Sequence, residues 1–283
     1  MKKRPTVQEV FFNRLPVCPE QDALEAQFFR SLILPNGTFK TTSPNRLDDL
    51  NAFVLRYLQE IPDRPLKIMD VAASSGVSTV EWYEHLRSHG IPCDITATDA
   101  TVHAILMTNG SSLAMLVDRH QNILHMEVFG IGIIGRAKRI RRIPLWILGT
   151  AVTAIFKAKT MLGTRPEADH VALLSKRFSQ TSCLRMLEDD LSHTNRPDFL
   201  QSFHVIRAAN ILNCAYFPAD ILAKFVAIIR ERLKENGLLI ICRTEHTGKN
   251  NATIFRATPN GGFDRIARFN DGSEVESIIE RGK

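Results

Sequence analysis

The stretch LKIMDVAASSGVSTVEWYEHL, residues 66–86, is the one whose reading decides the fold. Leu66, Ile68, Met69 and Val71 form a short apolar run with the character of a buried strand. Residues from about Ser78 to Ser88 read as a helix, opened by a capping box of Ser78 and Glu81 and closed by Gly90. Between strand and helix stand Ala72, Ala73, Ser74, Ser75 and Gly76, all of them small. Small residues in a strand-to-helix turn let a ligand approach the backbone, and the helix start offers unpaired N–H groups and a positive dipole end. The competing reading is that the small residues only pack helix against strand.

Outward from this elbow, CDITATDA gives a second strand that ends in Asp99, 23 positions after Gly76. An acid there, close to the expected ~20 residues, accepts hydrogen bonds from a ribose diol. It also serves as a cap if a helix follows. An irregular stretch leads to a hairpin, LAMLVD and ILHMEVF across RHQN. Further strands are HVALLS, CLRMLEDDL, FHVIRAANIL and LLIICRT, with a strong helix ADILAKFVAIIRERLKENG before the last and Gly237 just past its end. ATIFRAT and FDRIARF form a closing antiparallel pair around a Pro-Asn-Gly-Gly turn. Alternating strands and helices predict a Rossmann-like α/β fold: a doubly wound, mainly parallel, seven-stranded sheet with an antiparallel C-terminal pair. Upstream, Leu24, Phe28, Phe29 and Leu32 recur at helical spacing, and a second helix is expected from Ser43 as cap and Pro44 as first residue to Pro62. The expected organisation is an N-terminal helical segment, 1–62, and a sheet domain, 63–283, with an insertion at about 108–165 between its second and third strands.

Composition is globular, 44% hydrophobic and 23% charged over 283 residues. A net charge of +6 suits nucleic acid, an anionic membrane or an acidic ligand, and also an ordinary basic cytosolic protein. The five cysteines, Cys18, Cys93, Cys183, Cys214 and Cys242, are scattered with no CxxC pair. They read as reduced thiols in the cytoplasm, and no metal site is expected. The N-terminus has no long apolar core of a signal peptide.

The motif DVAASSG resembles the first motif of the class I S-adenosylmethionine-dependent methyltransferases, an acid followed by glycines at alternate positions. Asp70 stands at the acid, and Ala72, Ser74 and Gly76 stand at the glycine positions. Only the third is glycine, and a residue needing positive φ would be strained at the other two. The resemblance implies S-adenosyl-L-methionine as cofactor. It assigns the ribose to Asp99 with Ala100 beside it, the adenine to Asp189 or Asp190, and the surroundings of the sulfonium to Asn210. NILNCAYF also faintly resembles a stretch of the chemotaxis receptor methyltransferases. The G-x-G-x-x-G fingerprint of dinucleotide-binding dehydrogenases is absent.

Methyl transfer from a sulfonium asks the protein mainly to position a nucleophile and exclude water, so no fixed triad is expected. Tyr216, Glu245 and His246 follow strand ends on the ligand side and are the candidates for a base, against the plain reading of a polar turn. His103 reads as a cofactor contact or a helix start, and His204 as a strand residue. ANIL lacks the Pro-Pro-aromatic continuation of the nucleic-acid amino-methylating enzymes.

In the insertion, five of the seven residues 136–142 are basic, and the fourteen from Ile143 to Phe156 carry no charge. That run is short of the ~20 residues needed to cross a bilayer. It reads as a buried helix beside a solvated basic face, as an interfacial segment (136–156) on an anionic membrane, or as a cap over an apolar substrate. The absence of interleaved aromatics speaks against nucleic acid. The expected function is methyl transfer to a small-molecule or lipid-linked acceptor, by a cytoplasmic protein that is peripheral at the membrane if the interfacial reading holds. The alternative is a non-enzymatic module on the same fold that binds a nucleoside or docks a membrane or partner.

Overall fold

The computed structural model describes residues 5–13, 15–34, 40, 43–110, 112–133, 154, 167–192 and 196–280. The chain divides into two compact units, one of residues 1–42 with 101–176 and the other of 43–100 with 177–283. This differs from the expected division at residue 62: the first two helices belong with the insertion, and the third belongs with the large sheet.

The large sheet carries β1 (Leu66–Val71), β2 (Cys93–Asp99), β8 (Leu184–Glu188), β9 (Phe203–Ala209), β10 (Leu233–Thr244), β11 (Asn250–Ala257) and β12 (Phe263–Phe269). Its order is β12-β11-β10-β9-β1-β2-β8. Strands β8, β2, β1, β9 and β10 are parallel, while β11 runs antiparallel to both neighbours. Read along the chain, the parallel part has the 3-2-1-4-5 order of a doubly wound fold, whose ligand crevice lies at the carboxyl ends where the winding reverses. Here the reversal falls between β1 and β9. One face is covered by α6 (Ala219–Arg232) and α7 (Glu276–Glu280). Leu222, Phe225, Val226 and Ile229 pack there with Met69, Ile206, Leu239, Ile241 and Phe255. The same unit holds α3 (Asp48–Gln59) and α4 (Val77–Ser88).

Three boundaries depart from the sequence reading. Helix α3 begins at Asp48 rather than after Ser43, because Asn45 is left-handed, with φ of 57°. Helix α4 begins at Val77 on Gly76, with no side-chain cap. The Glu81 expected in a capping box instead accepts the Asn45 N–H, at 2.8 Å. Helix α6 ends at Arg232, and the residues up to Gly237 belong to β10, whose pairing with β9 shifts between Leu233 and Leu238. A left-handed Asn236 and a Gly237 whose absent Cβ would lie 2.9 Å from the Lys234 carbonyl form that irregularity.

The other unit is an antiparallel sheet of β3 (His103–Asn109), β4 (Leu113–Val117), β5 (Ile123–Val128), β6 (Ile131–Ile133) and β7 (Glu167–Ala172), in the order β6-β5-β4-β3-β7. Helices α1 (Val7–Phe11) and α2 (Pro19–Phe29) bury Val7, Val10, Phe28 and Phe29 against Ala104, Leu106, Leu116, Leu124 and Val171. A reciprocal cap of Thr6 and Glu9 starts α1. Glu127 of β5 also accepts the Val7 N–H, at 2.6 Å. A short helix, α5 (Lys176–Ser179), leads toward β8. The basic run 136–142 and all of the apolar run 143–156 except residue 154 lie outside the described residues.

Candidate functional site

The elbow between β1 and α4 keeps the backbone of a glycine motif with only the last of its three glycines. Ala72, Ser74 and Gly76 have φ of 55°, 60° and 84°, so every alternate residue is left-handed. For the two L residues this conformation is costly, of order 1–2 kcal/mol each. The turn is fixed by an Ala73 N–H donated to the Thr98 carbonyl at 2.9 Å and a Gly76 N–H donated to Ala73 at 3.0 Å. The Ser74 N–H donates to Asp99 Oδ2 at 2.8 Å. Elbow and acid therefore face one another and touch at the end of β1 and β2. Asp99 is buried while the adjacent Ala100 is exposed.

Gly76 serves packing. A Cβ there would lie 2.2 Å from Cδ2 of the buried Phe178, so the phenyl ring occupies the space the glycine leaves. Beside the elbow, the hydroxyls of Ser75 and Thr98 are buried without a hydrogen-bond partner among the described residues. They are polar capacity that the fold itself does not use.

Asp70 points below the elbow, into a buried ion pair. Arg207 of β9 clamps it with two bonds, Nε to Oδ1 at 2.9 Å and Nη2 to Oδ2 at 2.6 Å. Thr79 Oγ1 donates to the same carboxylate at 2.6 Å. The guanidinium also donates to the Ser78 carbonyl and to Asn51 Oδ1, and lies 4.1 Å from the Trp82 ring. This pair ties the strand before the elbow to the helix after it.

Asp189 has a different partner from the expected adenine. Its carboxylate accepts from Arg232, the last residue of α6, at 2.6 Å, with both side chains buried. The neighbouring Asp190 accepts from the Ser192 N–H and hydroxyl and closes a turn. Asn210 stands at the carboxyl end of β9 in a left-handed conformation, φ 64°. It joins that end to β10 by donating its N–H to Cys242, at 2.7 Å, and accepting the Thr244 N–H on Oδ1, at 2.7 Å.

The three base candidates do not converge. Tyr216 is 57% exposed, and His246 lies exposed in the turn after β10. Glu245 accepts from Asn251 Nδ2 at 2.6 Å, and no hydrogen bond joins it to His246. His103 opens strand β3, not a helix, and belongs to the other unit. No group of three or more His, Cys, Asp or Glu that could hold a metal occurs among the described residues.

One residue escaped the sequence reading. The half-buried Arg46 reaches across the carboxyl edge, with Nε 3.4 Å from Ser78 Oγ and Nη1 3.4 Å from Thr244 Oγ1. It forms no ion pair among the described residues. Burial pushes its guanidinium below the ordinary range, and the like charge of Arg207 acts the same way. A cation without a carboxylate, set over the start of α4 and the end of β10, has the chemistry to receive an anionic group. The only advance signal was an arginine in the turn ahead of a helix.

No protein-family model and no curated protein sequence matches the chain. Among solved structures it is similar to the CMeT domain of the citrinin polyketide synthase, at 14% identity and a TM-score of 0.37 over 83% of this chain. It is also similar to the DszA carbon methyltransferase, at 16% identity and 0.35 over 73%. A third is the PH0226 protein from Pyrococcus horikoshii OT3, at 10% and 0.37 over 83%. The matched part spans 41%, 38% and 79% of those chains respectively. The order and direction of its strands make this a Rossmann-like, doubly wound protein.

Proposed function

We propose that the chain binds S-adenosyl-L-methionine at the carboxyl edge of the large sheet and transfers its methyl group to a small-molecule or lipid-linked acceptor. The observation that carries this reading is the contact of the left-handed elbow with Asp99, at 2.8 Å from Ser74 N to Oδ2. It holds the acid over a turn whose backbone keeps the glycine-type conformation even where alanine and serine replace glycine. That conformation is retained at a cost to the chain, as expected of a site.

The residues fit such a ligand in three respects. Asp99 would accept the ribose hydroxyls. Arg46 would pair with the amino-acid carboxylate. Ser75 and Thr98 retain unpaired hydroxyls beside the turn. When bound, the cofactor's sulfonium supplies the activated methyl. The protein's part is to orient the acceptor and keep water out.

Calorimetry with S-adenosylhomocysteine and with methylthioadenosine, which lacks the carboxylate, tests this. Both are expected to bind. Asp99→Asn, whose amide oxygen still accepts the Ser74 N–H, is expected to weaken both by about 1.5–3 kcal/mol. Arg46→Gln is expected to weaken only the first. No heat from either ligand at millimolar concentration would refute the reading.

A second reading, a non-enzymatic module, draws on Phe178 filling the space at Gly76. It requires that Phe178→Ala create cofactor binding where the natural chain has none.

A further inference from the structure

Two of the five cysteines meet beside the C-terminal half of α4. Cys93 opens β2, and Cys183 stands immediately before β8. The two strands are parallel neighbours, with Ile95 level with Leu184. Cys93, Ile95 and Ala97 pair with Leu66, Ile68 and Asp70, so all six share one side of the sheet. Asp70 accepts the hydroxyl of Thr79 from α4, so this is the side that α4 covers. Cys183 meets the same helix, where it is hydrogen-bonded to the Tyr83 hydroxyl. Counted back from the Ile95–Leu184 pair, Cys93 lies two residues away and Cys183 one. Strand spacing and rise put their Cα atoms ~6 Å apart, within the roughly 4.4–6.8 Å that a disulfide spans.

The two thiols differ as an oxidisable pair requires. Cys183 is exposed and Cys93 is buried. Tyr83 and Ser182 hydrogen-bond to the Cys183 sulfur. Arg87 donates to Tyr83 Oη at 3.5 Å, with its guanidinium 5.7 Å from that ring. Tyr83, Ser182 and Arg87 favour the thiolate and hold the Cys183 thiol below its ordinary range, against desolvation and Asp94. Burial pushes Cys93 up to about 11, so it stays protonated. An exposed thiolate beside hydroxyls and an arginine reacts with peroxides, and a neighbouring thiol resolves the product. We propose that Cys183 is a site of oxidation by hydrogen peroxide and that Cys93 closes it as a disulfide. The Cys183 thiolate attacks one peroxide oxygen, the O–O bond breaks, and hydroxide leaves to take up a proton as water. Cys183 is then a sulfenic acid. The Cys93 sulfur attacks it, the S–S bond forms as the S–OH bond breaks, and hydroxide leaves with the Cys93 proton as a second water. Two thiols and one peroxide thus give one disulfide and two waters. The bond staples the edge strand β8 to β2. The proposal is independent of the cofactor reading.

Equimolar hydrogen peroxide added to the reduced full chain at neutral pH, followed by peptide mapping without reductant, tests it. A linked Cys93–Cys183 peptide is expected, with Cys18, Cys214 and Cys242 still free. In Cys93→Ser the sulfenic acid is expected to persist at Cys183 and to be captured by dimedone. Tyr83→Phe removes one hydroxyl from the sulfur. It is expected to slow oxidation of Cys183 roughly threefold or more and to move the midpoint of the rate–pH profile upward. A tyrosine that only packs would leave that midpoint in place. Thermal melts establish that both variants are folded, and the mapping of the natural chain needs neither. The proposal is overturned by the absence of the linked peptide, or by Cys183 reacting no faster than Cys214, the other exposed thiol. A Cys183–Cys183 link between two chains in place of the internal bond, or an unchanged profile in Tyr83→Phe, would also overturn it.

Discussion

Ala72 and Ser74 hold conformations that glycine takes without steric cost. Replacing either by glycine removes about 1–2 kcal/mol of left-handed strain and adds about 0.5–1 kcal/mol of chain entropy, so each change is expected to stabilise by roughly 0.5 kcal/mol. Ala73, which is not left-handed, is the control: Ala73→Gly is expected to destabilise. Urea unfolding of the three variants reads both signs, and equal destabilisation by all three would show that the elbow carries no strain. At this scale the sequence was informative where side-chain size and spacing mattered. The alternate small residues and the acid 23 positions on were legible, and the structure brings them into contact. The partners of Asp70 and Asp189 were not legible. Arg207 and Arg232 lie 137 and 43 positions away from them, and only the folded sheet makes them neighbours.

At the scale of elements, the junction of β1, α4 and β9 is held by the Asp70–Arg207 pair. Buried pairs of this kind add little net stability as pairs, but losing one partner strands a charge. Arg207→Met is therefore expected to cost about 3–5 kcal/mol, with Asp70→Asn added to it recovering part of the loss. Chemical denaturation of both variants checks this; a single-variant cost within about 1 kcal/mol would mean that Asp70 stays solvated. Elements whose hydrophobic period was regular, such as α6 and the β4–β5 hairpin, could be read from the chain. Strand β3 could not be distinguished from an irregular stretch, because Ala104 to Met107 are apolar without alternation. The start of α3 was misplaced because a left-handed Asn45, which no local pattern announces, holds the preceding turn open.

Over the whole molecule, the doubly wound order was legible because each parallel strand carries its own apolar run. The pairing of α1 and α2 with the insertion was not, since those contacts join residues about 100 positions apart. His204 is one group whose contribution to the pH dependence of stability has a clear sign. His204 accepts the Lys67 N–H on Nδ1 at 2.9 Å, and its Nε2 lies 3.0 Å from Asp63 and 2.7 Å from Lys234 Nζ. Burial lowers its pKa, Lys234 adds to this, and Asp63 opposes it. The unfolded chain then binds the extra proton more readily, so stability is complete above about pH 6.5 and falls as the pH drops below it. His204→Asn keeps an acceptor for Lys67 and is expected to flatten the slope of unfolding free energy between about pH 6.5 and 5 relative to the natural chain. Identical slopes would exclude the histidine. Two-dimensional amide NMR, with S-adenosylhomocysteine titrated into the natural chain, tests the central claim most directly. The amides of Ser74, Ser75, Gly76 and Ala100 are predicted to shift together and to saturate at one ligand per chain, while resonances of the antiparallel unit stay in place. Saturation without movement of the elbow amides, or no shift at millimolar ligand, would contradict the account.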